Sequence, residues 1–271
     1  MPPFPQSVDG SVASRSPLKF FSLVFALSLP FWLAGALTRF QLAPGLPVSA
    51  LMFFCPVTAA LILVCRENKS AGVTELLKRS FDYKRIRAKI WFAPIILLMP
   101  AIFALSYALM IVMGIPLPTP QFTVLAPMGL ALAFFVPALG EELGWSGYAI
   151  DPMQDRWWAL KASILMGVVW AAWHLVPYLE AHRSPGWIAG QFLFTVASRV
   201  LIVWLYNNTG KSVFAAAVFH ATSNASWLLF PIYGSYYDPR ITGLIAVFAV
   251  AIVAVVWGPR TLARYPPKRA T

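Results

Sequence analysis

Eight stretches of the chain, at roughly 18–38, 46–65, 90–115, 126–150, 159–179, 187–206, 211–230 and 241–258, are apolar over about the ~20 residues that an α-helix needs to cross a bilayer core. Hydrocarbon offers no water to satisfy backbone N–H and C=O groups, so a chain of this pattern is confined to helices. The expected fold is all-α: a polytopic membrane protein with about eight transmembrane helices in one bundle. The composition agrees. Only 11% of the 271 residues are charged, against ~25% in ordinary soluble domains, and the mean hydropathy is +0.69. The first stretch is too long for a signal-peptide core and has no small-residue cleavage site. The expected layout is a disordered cytoplasmic tail at 1–17, a membrane domain at 18–259 and a basic cytoplasmic tail at 260–271. Pro30, Pro56, Pro100 and Pro137 fall inside spans and mark kinks.

The formal net charge is +11. In a soluble protein such a balance suggests nucleic acid; here the charges follow topology instead, and no nucleic-acid partner is expected. With the N-terminus in the cytoplasm, seventeen of the 21 Lys and Arg fall on the cytoplasmic side. Arg39, Arg183 and Arg240 fall outside, and Arg199 lies within the sixth span. That bias puts both termini inside. The loop 66–89 holds eight of the cytoplasmic charges. Its Val73, Leu76, Leu77 and Phe81 recur at helical spacing, predicting a short interfacial helix that anchors on anionic membrane lipid. Cys55 and Cys65 share one span and, about 15 Å apart on a helix, are read as free thiols.

Polar groups inside spans are costly and therefore mark function. Glu141 and Glu142 lie in the fourth span, within Pro-Ala-Leu-Gly-Glu-Glu-Leu-Gly-Trp-Ser-Gly at 137–147. His174 lies in the fifth, and His220 and Asn224 in the seventh. At 1.5 Å per residue, Glu141, His174 and His220 fall within a band about 13–21 Å above the cytoplasmic boundary. Trp170 and His174 share a helical face, as do His220 and Asn224, and Glu141 and Trp145. Glu141 and Glu142 diverge by about 100° and are expected to take different roles. The set suits amide hydrolysis. A carboxylate takes a proton from water that an imidazole holds, and a second imidazole and a carboxamide donate to the oxyanion. No HExxH or CxxC signature is present.

The run Glu141-Glu142-Leu-Gly-Trp145-Ser146-Gly resembles the Glu-Glu-x-x-x-Arg motif of the CPBP intramembrane proteases. That family takes in type II CAAX prenyl endopeptidases, Abi proteins and bacteriocin-processing proteins. Trp170-Ala-Ala-Trp-His174 is similar to its aromatic-x-x-x-His motif, and His220-Ala-Thr-Ser-Asn224 to its His-x-x-x-Asn motif. The three occur in the family's order across about 134–226. The resemblance implies an intramembrane endopeptidase of a prokaryotic-type cell membrane, acting on a peptide or membrane-protein substrate. It implies Glu141 as base, His174 positioning the water, and His220 and Asn224 stabilising the oxyanion. A metal-dependent version would use a divalent metal such as zinc, held by Glu141, His174 and His220; the metal-free version needs no cofactor. The chain departs from the pattern at Ser146, where the family has Arg. Glu142 thus loses its expected partner, and Arg199, at matching depth, is the candidate replacement.

Several residues have plainer readings. Trp145, Trp170 and Trp173 are read as packing ahead of lining a groove, and Trp157 and Trp158 as belt anchors. Glu180 and Asp238 are read as solvated loop charges, and Asn207-Asn208-Thr209-Gly210 as a turn with Asn208 or Gly210 in the unusual dihedrals. A non-catalytic scaffold or peptide-binding immunity protein is the alternative function. A bis-histidine haem site at His174 and His220 ranks last.

Overall fold

The structure, a computed structural model, describes residues 15–38, 40–43, 46–123 and 125–264. The expectations for residues 1–14, Arg39 and 265–271 lie outside the described residues. Among the described residues ten α-helices follow one another: α1 (Pro17–Thr38), α2 (Cys55–Lys78), α3 (Phe92–Val112), α4 (Ala126–Gly144), α5 (Ile150–Arg156), α6 (Ala159–Trp173), α7 (Leu175–Glu180), α8 (Pro185–Asn208), α9 (Val213–Leu229) and α10 (Pro239–Trp257). Strand pairing among the described residues is limited to a hairpin of β1 (Gln41–Ala43) and β2 (Leu46–Pro47). The all-α membrane bundle expected from the apolar stretches is present. Among the described residues seven helical segments are long and apolar enough to span a bilayer, and the seventh stretch, at 211–230, forms α9, a shorter apolar helix.

The helices are assembled around α8. It is the most buried span, with 67% of its apolar window inside the protein. It packs on α6 and α10, and α9 packs on α4 and α3. Small residues set the closest approaches. A Cβ on Gly167 of α6 would stand 3.0 Å from the Val196 Cα of α8, and one on Gly144 of α4 would stand 2.6 Å from the Pro56 carbonyl oxygen of α2. Backbones this close leave no room for a methyl group.

Two spans are broken near the polar residues. Between α4 and α5 the chain takes a π-helical turn over Trp145–Ala149. The carbonyl of Gly147 in that turn accepts from Arg79 Nη1 at 2.8 Å and Arg15 Nη1 at 3.1 Å. Such turns free a carbonyl from the helical ladder, and two guanidinium groups answer it. The fifth span is interrupted at His174, between α6 and α7.

Four expectations need correction. The 66–89 segment is more than a lipid anchor. α2 runs through it with a break at Lys69 (φ 53°), and Leu76 is buried. Arg79 also reaches the Tyr206 hydroxyl at 2.7 Å and the Lys211 carbonyl at 2.8 Å. Asp82 accepts from Ser212 Oγ at 2.7 Å and from the Val213 and Phe214 N–H groups that open α9. Glu180 is not a solvated loop charge: it ends α7, half-buried, and accepts from Ser49 Oγ. Asp238 caps α10 through the Arg240 N–H at 2.9 Å and pairs with the Arg240 guanidinium at 2.7 Å. That partner holds its carboxyl below the usual range. The turn expected at 207–210 starts later: Asn207 and Asn208 end α8, Thr209 is its C-cap, and Gly210 takes the left-handed region (φ +68°).

Candidate active site

The two adjacent glutamates of α4 face different surroundings, as a 100° step per residue requires. Glu142 is completely buried and has three partners. Arg199 of α8 donates from Nη1 to Oε2 at 2.8 Å and from Nη2 to Oε1 at 3.0 Å. Ser146, one turn along from Glu142, donates its hydroxyl to Oε2. His220 Nδ1 lies 3.2 Å from Oε1; a carboxylate oxygen only accepts, so Nδ1 carries the hydrogen. The position where the family has Arg thus holds a hydroxyl donor, and the guanidinium arrives from α8. Two parallel N–H···O contacts satisfy a buried carboxylate well, and together they neutralise both charges.

Glu141 faces a cavity of about 100 Å³ whose walls include Trp170, His174, His220 and Asn224. Its Oε2 accepts from Trp170 Nε1 at 2.7 Å. Oε1 has no hydrogen-bond partner among the described residues. His174 Nδ1 lies 2.8 Å from the Trp170 carbonyl, which only accepts. The hydrogen is therefore on Nδ1, and the neutral ring presents Nε2 as an acceptor. Asn224 is half-buried, and its carboxamide is unengaged among the described residues.

Trp170 joins the two carboxylate sites. Its indole N–H holds Glu141, its face lies under the Arg199 guanidinium at 4.1 Å, and it meets the rings of His174 and His220 edge-on at 5.5 and 5.2 Å. Reading it first as a packing residue missed this donor. An indole in an apolar helix carries no sequence signal that separates the two uses. Trp145 is buried packing against Phe20 and Trp173. Trp173 donates to Ser28 Oγ at 2.7 Å and lines a second, larger space. Sequence reasoning also missed Tyr178, one turn after His174, whose ring stacks on that imidazole at 5.9 Å. The His-x-x-x-Tyr spacing was available as a signal.

The cavity adjoins an apolar groove of about 380 Å³, and the two share Glu141, His174, Tyr178, Gln191 and Asn224 among their walls. A polar pocket able to hold water and a reacting carbonyl thus lies beside a surface that accepts an apolar chain. The zinc set of Glu141, His174 and His220 does not fit this geometry. Among the described residues no group of three His, Cys, Asp or Glu is arranged to hold a metal ion.

Fold and site together define a polytopic helical membrane protein with an acid–imidazole–carboxamide cluster in an intramembrane cavity. The sequence model described as Type II CAAX prenyl endopeptidase Rce1-like matches residues 123–226. CAAX prenyl protease 2 of Methanococcus maripaludis is 29% identical, over 88% of this chain and 93% of that protein. Both findings bear out the resemblance read from the three motifs and support a CAAX-type membrane protease.

Proposed function

We propose that the chain is an intramembrane endopeptidase that hydrolyses a peptide bond in or beside the membrane, with Glu141 as general base. The observation that carries this reading is the single cavity walled by Glu141, His174, His220 and Asn224. Glu141 Oε1 takes a proton from water while His174 Nε2 accepts the water's other hydrogen. The hydroxide formed adds to the scissile carbonyl carbon. Negative charge develops on the carbonyl oxygen, where the Asn224 N–H₂ donates and His220, entering the reaction as the doubly protonated imidazolium, donates from Nε2 and keeps that proton throughout. Collapse breaks the C–N bond, and the leaving amine takes the proton held by Glu141. Trp170 keeps the carboxylate aimed, and the Glu142–Arg199–Ser146 group holds His220 through Nδ1. No step is routed through a metal.

The named relative suggests prenylated peptides as the substrate class, and the apolar groove beside the cavity suits a chain of that kind. The distribution of Lys and Arg supports an orientation with both termini in the cytoplasm, in a prokaryotic-type cell membrane. The protease core is assigned to about 126–230, within a membrane domain of 18–259. The scaffold alternative drew on Ser146; the full set of partners around Glu142 favours the enzyme.

The test compares membrane-associated peptides from cells making the intact protein with those from cells making Glu141→Gln at matched levels. Fragments found only with the intact protein are expected, and they identify a substrate at the same time. A fully active Glu141→Gln protein would refute the base assignment.

A further inference from the structure

Arg183 stands in the loop 181–184 between α7 and α8, outside the spans. It lines the apolar groove together with Glu141 and His174. Its guanidinium lies over the Trp187 ring at 4.7 Å, and its backbone N–H donates to the Tyr178 carbonyl at 3.1 Å. Backbone and side chain are therefore both held. The side chain is half-buried, and that burial pushes its pKa down. Five basic residues elsewhere on the bundle have a carboxylate partner: Arg199 has Glu142, Arg79 and Arg85 share Asp82, Lys211 has Asp151 and Arg240 has Asp238. Among the described residues Arg183 has no carboxylate within ion-pair distance and no side-chain hydrogen bond.

A positive charge kept in an apolar groove without a counter-ion is costly unless the groove's ligand supplies one. The site favours an anion for a second reason. α8 begins at Pro185 and runs 24 residues, so the positive end of its dipole adds to the same end of the groove. Position fits a substrate role. α7, six residues and so about 9 Å long, separates this loop from His174. A chain lying in the groove can thus reach Arg183 and the cavity together.

Resting on the peptidase reading above, we propose that Arg183 is a carboxylate-binding specificity residue of the groove, seating a carboxylate of the peptide while the scissile bond lies at Glu141. A guanidinium stacked on an aromatic ring presents its N–H fork edge-on, the geometry that takes one planar carboxylate through two bonds. The carboxylate comes from the C-terminus of the peptide or from an acidic side chain near it.

Binding in the Glu141→Gln protein, reconstituted in zwitterionic nanodiscs, tests this without needing turnover. The probes are a pool of fluorescent apolar nonapeptides with a free C-terminus, the same pool C-terminally amidated, and an amidated pool carrying one added Glu. With Arg183 present, the free-acid pool is expected to bind about 10–100-fold tighter than the amidated one, the range for one charge-assisted hydrogen-bonded contact. Arg183→Gln should remove that ratio and leave amide binding unchanged; Arg183→Lys should keep part of it. Rescue of the amidated pool by the added Glu, lost again in Arg183→Gln, makes a side chain the source; no rescue makes it the C-terminus. Equal binding of all three pools, no binding of any, or a ratio that survives Arg183→Gln overturns the proposal. So does an Arg183 dependence seen only on adding anionic lipid, which would mark a headgroup site. Hydrolysis is assayed separately with Glu141 intact. Discrimination without any cleavage would sink the peptidase reading and leave the carboxylate site standing.

Discussion

Glu142 and Arg199 are each fully buried, and neither has another opposite charge as close. Removing one partner strands the other in low dielectric, so Arg199→Leu should destabilise the protein by about 3–5 kcal/mol. Combining it with Glu142→Gln should recover much of that loss, measured by thermal unfolding in detergent. If the two single changes simply add in the double variant, the pair is not a coupled unit. In the cavity, Asn224→Ala should lower kcat about 10²–10³-fold if its carboxamide meets the oxyanion. Trp170→Phe keeps the ring but deletes the hydrogen bond to Glu141; the expected loss is about 10–100-fold in rate with the fold intact. Rates should also survive chelators, since Glu141, His174 and His220 are not arranged as a ligand set; loss restored by added zinc would contradict the metal-free reading. The three motifs were legible because polar residues four apart are conspicuous in apolar helices. The Arg199–Glu142 pair was legible from depth alone. The Trp170 bond was not, because an indole looks the same in sequence whether it packs or donates.

At the level of elements, α4 is held against α2 by the absence of a side chain at Gly144, and α9 is started by a residue far away in sequence. Gly144→Ala would push a methyl group into the Pro56 carbonyl, so α4 must move and carry Glu141 and Glu142 with it. The variant should be both less stable and less active; an unchanged melting temperature would show that the approach relaxes easily. Asp82→Ala should cost up to about 2 kcal/mol, since its carboxylate serves the first turn of the helix that bears His220 and Asn224. This cap was invisible to a local reading: 130 residues separate Asp82 from Ser212, and the 66–89 charges looked like a surface anchor. The π-turn at 145–149 was equally hidden. Arg15 and Arg79 meet its Gly147 carbonyl from elsewhere in the fold, a tertiary circumstance.

Across the whole molecule, the length and hydropathy of the apolar stretches sufficed to read the bundle. In lipid, backbone hydrogen bonding leaves helices as the main option. The seventh stretch fell short of a full span because α9 is mostly interior. Its apolar length is set by α3 and α4 on either side more than by bilayer thickness. What joins these scales is the claim that α4, α6, α8 and α9 converge to build a hydrolytic cavity around Glu141. The most direct check is turnover by the purified protein in liposomes, with a prenylated peptide as substrate and mass spectrometry reading the fragments, for the intact chain beside Glu141→Gln. Cleavage by the intact chain, and none by a folded Glu141→Gln protein, is expected. Equal cleavage by both would contradict the assignment of Glu141 as the base and with it the function proposed for the cavity.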